Sequence, residues 1–242
     1  AKAYQTIKDH GIEGLVVIGG DGTFKGSLAF METYKDVPIL GCPGTIDNDL
    51  YGTDYTIGYD TAINTAMNAI DNIKDTANSH DRLFFVEVMG RDAGFIALRS
   101  GIATGAEAVL LPESKTSVDE LITILKHGRA LKKNASIVVV AEGDEVGGAF
   151  KLADLVKEKG FSDYEIKVSI LGHIQRGGRP TCMERVRASQ MGMAAVEGLM
   201  NSRRGEMVGI IHDDIVYTPF DQATKHHSTI NKTMLDMVKV LG

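Results

Sequence analysis

Seven short apolar runs alternate along this chain with stretches of helical spacing, and this alternation restricts the fold more than any other feature. The runs cover residues 14–18, 37–42, 82–89, 108–111, 136–141, 167–172 and 208–212. Most lack the polar–apolar alternation of a half-exposed strand. They are therefore expected to be buried on both faces, as in a parallel sheet covered by helices. Between them Ile63, Ala66, Met67, Ile70 and Ile73 recur at helical spacing, as do Val118, Leu121, Ile122 and Leu125. Ser117, with Glu120 three residues on, reads as the N-cap of the second helix. Further helices are predicted over 3–10, through Gly26, and over about 184–200 and 228–241. The pattern predicts an α/β fold in two Rossmann-like lobes, with mostly parallel sheets flanked by helices. In such sheets ligands sit at the carboxyl ends of strands.

Composition narrows the function. A net charge of −6 argues against a nucleic-acid binder that relies on neutralising phosphates. It leaves room for single phosphate ligands, since a few local arginines suffice for one. No apolar run approaches the roughly 18 residues of a membrane-spanning helix, so no membrane partner is expected. Cys42 and Cys182 fit no metal-ligand spacing. A reducing cytoplasmic compartment is the corresponding expectation.

The first chemical motif follows the first strand. Leu15-Val16-Val17-Ile18 runs into Gly19-Gly20-Asp21-Gly22-Thr23, with a helix through Gly26. Glycines let backbone approach a ligand, and a helix N-terminus offers free N–H groups with positive dipole. The string is neither a Walker A motif nor G-x-G-x-x-G. A carboxylate beside a phosphate repels it unless a cation intervenes, and Mg²⁺ prefers one or two carboxylates plus phosphate oxygens. Asp21 is thus read as a Mg²⁺ ligand. The competing reading is a tight turn that uses Gly and Asp for geometry alone.

The second strand ends in Cys42-Pro43-Gly44-Thr45-Ile46-Asp47-Asn48-Asp49. In an extended segment, Asp47 and Asp49 project to the same side. Their repulsion is tolerated where a metal or proton lies between them. One carboxylate could accept the proton of an attacking hydroxyl while the other holds metal or loop. An Asx-rich turn leading into the next helix accounts for the same residues equally well.

Taken in order, these strings resemble the phosphofructokinase family, in its ATP-dependent branch. Gly-Gly-Asp-Gly-Thr after a strand and Pro-Gly-Thr-Ile-Asp-Asn-Asp after the next carry the resemblance. Met89-Gly90-Arg91 and Leu171-Gly172-His173-Ile174-Gln175-Arg176-Gly177-Gly178 extend it almost along the whole chain. The resemblance implies the phosphofructokinase fold and phosphoryl transfer from ATP to the C1 hydroxyl of fructose 6-phosphate, with Mg²⁺. Asp47 matches the general base, and Thr45 and Asp49 match neighbours contacting the sugar or the transferring phosphoryl. Asp21 matches the Mg²⁺-linked aspartate, and Gly20, Gly22, Thr23 and Gly26 match the nucleotide-phosphate turn. Arg91 matches the arginine that stabilises the transferring group. Met89, Gly90 and Glu142 match sugar-contacting positions; read from spacing alone, Met89 is core packing and Glu142 a surface carboxylate. Arg82, Lys167, His173 and Arg176 match a clamp on the 6-phosphate, built from two subunits of a homotetramer with the Arg82 and Lys167 positions reaching across. Lys167 departs from the family's arginine and loses the bidentate fork.

The resemblance also divides the chain. A nucleotide-binding lobe is expected over 1–60 with about 82–112, and a sugar-phosphate lobe over about 61–81 and 113–242. Pyrophosphate-dependent members carry aspartate at the position of Gly22 and lysine at that of Gly44, so the two glycines fit the ATP pattern. A regulatory or inactive subunit is set against by the intact Asp47 and Arg91, and NAD and diacylglycerol kinases lack the Asp47 and His173 strings. Family members begin with a further strand and a Gly-rich turn not found in this sequence. The expectation is that this polypeptide alone binds nucleotide poorly. Glu107, Lys74 and Lys133 match positions of an effector site between subunits, the alternative being exposed charges on a solvated surface.

Overall fold

Strands and helices alternate as the sequence predicts. In chain order they are α1 (Lys2–Asp9), β1 (Leu15–Gly19), α2 (Asp21–Thr33), β2 (Ile39–Thr45), β3 (Ile57–Gly58), α3 (Tyr59–Ala77), β4 (Arg82–Val88), α4 (Phe95–Thr104), β5 (Ala108–Leu110), α5 (Val118–Ala130), β6 (Ala135–Ala141), α6 (Ala149–Glu158), β7 (Glu165–Ile170), a 3₁₀ turn (Gly172–Arg176), α7 (Cys182–Met200), β8 (Glu206–Ile211), β9 (Asp214–Pro219) and α8 (Lys232–Leu241). The computed structural model describes residues 2–77, 82–114, 116–131, 135–224 and 230–241. It falls into two compact units, Ala1–Asp60 with Pro180–His227, and Thr61–Arg179 with Ser228–Gly242.

The first unit holds a sheet of order β1-β2-β8-β9, with β3 paired to β2. β1, β2 and β8 run parallel, and β9 returns antiparallel to β8. Alternation along β2 sends successive side chains to opposite faces. Ile39 packs with Phe24 of α2 and Phe220, whereas Leu40 packs with Met191, Ala194 and Ala195 of α7. Helices therefore cover both faces, which is why β2 reads as an unbroken apolar run. Each fully buried side chain of this kind contributes about 1.5–3 kcal/mol.

The second unit holds a wholly parallel sheet of order β5-β6-β4-β7. Its core gathers Leu83 and Phe85 of β4, Val138 and Val140 of β6, Leu121 and Leu125 of α5, and Leu152 and Val156 of α6. Ser117 caps α5 as expected, its hydroxyl accepting the N–H of Glu120 at 3.1 Å. Thr181 caps α7 in the same way, accepting from Glu184 at 3.2 Å.

The expected lobe division is corrected by strand pairing. β4 and β5, placed by sequence in the first lobe, bond to β6 and β7 and belong to the second sheet. The first sheet is completed instead by β8 and β9, after the chain returns at Pro180. Apolar runs reveal strands but not their neighbours, so the sequence could not make this assignment. β9 was missed because its turn is His212-Asp213 rather than Asn-Gly. Both residues have positive φ, 51° and 68°, the conformation a two-residue hairpin turn needs.

Gly41 shows how tightly β2 is built in. A Cβ there would lie 2.4 Å from the ring of Phe24 and 2.8 Å from that of Phe220. Those rings stack at 4.9 Å and are fully buried, so neither can swing away. Gly41→Ala is expected to destabilise the protein by about 1–3 kcal/mol, measured as a lower urea midpoint with unchanged slope.

Candidate active site

In the first unit, a glycine turn joins β1 to α2. Gly20 is the extended N-cap, and α2 begins at Asp21. Gly22 and Gly26 lie one turn apart, and a Cβ at either would meet nothing within 4 Å. They present bare helical backbone on an open side, near the positive end of the α2 dipole. Thr23 turns back over Gly19, where a Cβ would fall 2.1 Å from its Oγ1. The Asp21 carboxylate accepts from Lys25 Nζ at 2.8 Å and keeps 20% side-chain exposure.

The second loop sits directly beside this turn. Gly19 and Pro43 are register partners, and a Cβ on Gly20 would lie 3.6 Å from that of Thr45. Thr45 Oγ1 accepts the N–H of Asp47 at 3.2 Å. The side-by-side projection expected of Asp47 and Asp49 does not hold as a strand property, because β2 ends at Thr45 and Asn48 turns the chain with φ 53°. Asn48 is fixed there: its Oδ1 accepts from Thr56 N at 2.8 Å, and its Nδ2 donates to the Asp54 carbonyl at 3.1 Å. Asp47 and Asp49 are both nearly buried, at 7% and 9% exposure. The loop thus holds two carboxylates largely out of water next to a phosphate-binding turn.

In the second unit, β4 ends at Val88 and leads into Met89, Gly90 and Arg91. Gly90 and Arg91 leave the strand conformation with φ 147° and 52°. Glu142 Oε1 accepts from Arg91 N at 2.7 Å and Gly90 N at 3.3 Å. Glu142 is therefore no idle surface carboxylate. Nor does it simply face a sugar, since one oxygen is committed to the loop that carries Arg91. Gly143 packs against that loop, and a Cβ there would come 2.0 Å from the Arg91 carbonyl oxygen. Met89 is half-buried at the loop's start rather than in the core.

His173 and Arg176 occupy the 3₁₀ turn after β7. Side chains three apart eclipse in a 3₁₀ helix, and both of these are exposed while Gln175 between them is buried. Arg82 and Lys167 lie elsewhere, at the start of β4 and early in β7. They share Glu165, whose carboxylate accepts from Arg82 Nε at 3.1 Å and pairs with Lys167 Nζ at 2.6 Å. Three strand steps separate Lys167 from the end of β7, about 10 Å at strand rise, and His173 and Arg176 follow in the 3₁₀ turn beyond it. Lys167 and then Arg82 hold the Glu165 carboxyl below the usual carboxylate range.

Of the expected effector residues, Glu107 is buried rather than solvated, and Lys74 donates to the Thr104 carbonyl at 2.7 Å. Lys133 lies outside the described residues. Sequence reading missed Glu165 and Gln175. Gln175 sits inside the most specific string of the chain, so its signal was present. Burial also raises the Asp144 carboxyl and the Cys42 thiol above their ordinary values.

Parallel strands flanked by helices, with a glycine turn and two nearly buried carboxylates past the ends of β1 and β2, define an open-sheet α/β protein. The chain belongs to the phosphofructokinase family, whose model, described as Phosphofructokinase, matches residues 1–199. It is 52% identical over 240 residues to an ATP-dependent 6-phosphofructokinase 2 of Bacteroides thetaiotaomicron, covering 99% of this chain and 73% of that protein. It is 51% identical over 242 residues to an ATP-dependent 6-phosphofructokinase 1 of Thermus thermophilus, covering 100% and 74%. Among solved structures, phosphofructokinase from Saccharomyces cerevisiae superposes with TM-score 0.81 at 30% identity, over 90% of this chain and 32% of that one. A pyrophosphate-dependent phosphofructokinase from Nitrosospira multiformis shares the fold, with TM-score 0.80 at 24% identity.

The Glu165 pairing makes a direct prediction. In Lys167→Met, the Glu165 carboxyl is expected to titrate closer to the ordinary carboxylate value, followed by carbon-detected NMR across acid pH. Because the pairing depresses that carboxyl, any stability it lends is present at neutral pH and lost as pH falls through the folded-state midpoint. An unmoved midpoint in the variant would show that the pair is not formed in solution.

Proposed function

We propose that this chain transfers the γ-phosphoryl group of ATP to the C1 hydroxyl of fructose 6-phosphate, giving fructose 1,6-bisphosphate, a step of glycolysis. The observation that carries this reading is local to the first sheet: the turn at Gly20 and the loop of Asp47 emerge together from the ends of paired parallel strands. Placing a phosphate cradle beside a nearly buried carboxylate suits a donor phosphate and an acceptor hydroxyl meeting there. The named activity of relatives at about half identity over the whole chain supports the same substrates.

Each residue then has a task. Gly20, Gly22, Thr23 and Gly26 line the nucleotide-phosphate turn, Gly22 and Gly26 by leaving room for close approach. Asp47 accepts the proton of the attacking hydroxyl, while Thr45 holds the Asp47 backbone and Asp49 completes the loop. Arg91 offers paired donors to the transferring phosphoryl oxygens. Asp21, a single carboxylate at the start of α2, suits Mg²⁺, which binds through one or two carboxylates, water and phosphate. Asp21 would hold it, and the ion would neutralise charge on the phosphates. Catalysis otherwise rests on positioning.

Donor choice follows from two glycines. The open space at Gly22 leaves room for a nucleotide. A side chain at Gly44 would start 3.1 Å from the backbone nitrogen of Gly19 and displace the phosphate turn. Separation of Arg82 and Lys167 from His173 and Arg176 supports a 6-phosphate clamp completed across subunits, hence a homotetramer. A glycolytic role supports a cytoplasmic setting.

The test is a donor comparison in the full-length protein with fructose 6-phosphate as acceptor: turnover with ATP and little with pyrophosphate is expected, and the reverse would overturn the donor. Asp47→Ser should lower kcat by at least about 10²-fold with little change in sugar affinity; an unchanged kcat removes Asp47 as base. Arg176→Ala should mainly raise the KM for fructose 6-phosphate, and an unaltered KM would contradict its place in the clamp.

A further inference from the structure

Gln175 differs from its neighbours. His173, Ile174 and Arg176 are exposed on the 3₁₀ turn, whereas Gln175 is 1% exposed and points into the second unit. Its Oε1 accepts the N–H of Met89 at 2.9 Å. A backbone donor requires an acceptor, so this bond settles which end of the amide faces Met89. Nε2 is thereby turned aside, buried and without a hydrogen-bond partner. Leaving a buried donor unpaired is unfavourable, and an apolar side chain of similar volume would avoid it. Filling space does not explain this residue, but accepting from Met89 does.

Around Met89 the strand ladder gives out. On one side the Glu142 N–H still donates to the Val88 carbonyl at 3.0 Å, and on the other the Leu171 N–H donates to the Glu87 carbonyl at 3.0 Å. One step further, Gly90 and Arg91 enter the positive-φ region and ladder bonding cannot continue. Three successive N–H groups are then taken by two side chains, Met89 by Gln175 and both Gly90 and Arg91 by Glu142. These acceptors come from the segments following β7 and β6, the two strands that flank β4. Arg91 holds its strained backbone conformation because both neighbours grip the loop.

We propose that Gln175 is a positioning residue for phosphoryl transfer: its buried amide latches the loop carrying Arg91 to the turn carrying His173 and Arg176. This rests on the reading of Arg91 as the group that stabilises the transferring phosphoryl. The latch fixes the spacing between sugar-phosphate clamp and transition-state arginine, so its loss shows in kcat rather than in sugar binding.

Two variants of the full-length protein test it. Gln175→Met keeps the volume and removes the acceptor; Gln175→Glu keeps an acceptor for Met89. In Gln175→Met, hydrogen exchange at the Met89 amide is expected to accelerate at least tenfold or so. The kcat should fall about tenfold, with KM for fructose 6-phosphate within about threefold. Gln175→Glu should retain slow exchange and recover most of kcat. Unchanged Met89 exchange in Gln175→Met would show that the latch does not exist. Equal kcat losses in both variants, tracking their thermal midpoints, would assign Gln175 to packing. A raised KM with normal kcat would move it into the clamp. Absence of sugar kinase activity in the parent would refute the functional reading, and the exchange measurement would still decide the latch.

Discussion

Backbone N–H groups at the ends of parallel strands are the constraint on which the loops of both units depend. Within a sheet these donors are met by the neighbouring strand, but past its edge something else must accept them. The first unit turns immediately into α2, so the positive end of the helix dipole lies at the strand end, a setting that suits an anion. The second unit differs. At residues 89–91 every N–H is taken by Glu142 or Gln175, which holds the backbone of Arg91 in place.

Close approach makes these arrangements possible. Gly19 admits Thr23, Gly41 admits the Phe24 and Phe220 rings, and Gly143 admits the Arg91 carbonyl. Each allows a neighbour into space a methyl group would fill, and each lies in or next to a strand that leads into a predicted site residue. The chemistry at the strand ends is thus tied to packing deeper in the sheets. Asn48 adds a different device, a left-handed residue between two aspartates whose side chain is bonded on both sides.

Much of this was legible in the residues. All seven apolar runs became strands; β2, β5 and β8 are buried on both faces along most of their length, whereas β1 exposes Val16 and Ile18 on one face and β7 is partly exposed throughout. Ser117 was readable as a cap since capping is local. Pairing was not readable: nothing in Arg82–Val88 distinguishes a neighbour at β2 from one at β6, and the lobe division failed for that reason. The small helix α4, apolar nearly all round and with a glycine as its N-cap, gave no periodic stripe. At the strand-end loops, residue types and order were enough to single out Asp21, Asp47, Arg91 and Arg176 as candidates. Glu142 and Gln175 act through backbone groups distant in sequence, so their part emerges only when strand ends are seen side by side.

Glu165 has a consequence for selectivity. Its carboxylate already stands between a guanidinium and an ammonium, both of which shed part of their hydration when the chain folds. In the proposed clamp a ligand would not meet bare positive charge; it would replace one anion with another. Such an exchange would favour a doubly charged phosphate monoester over a singly charged carboxylic acid, which brings nothing Glu165 does not already provide. Discrimination between metabolites of similar shape can therefore come from a resident competitor as well as from the contacts a ligand makes.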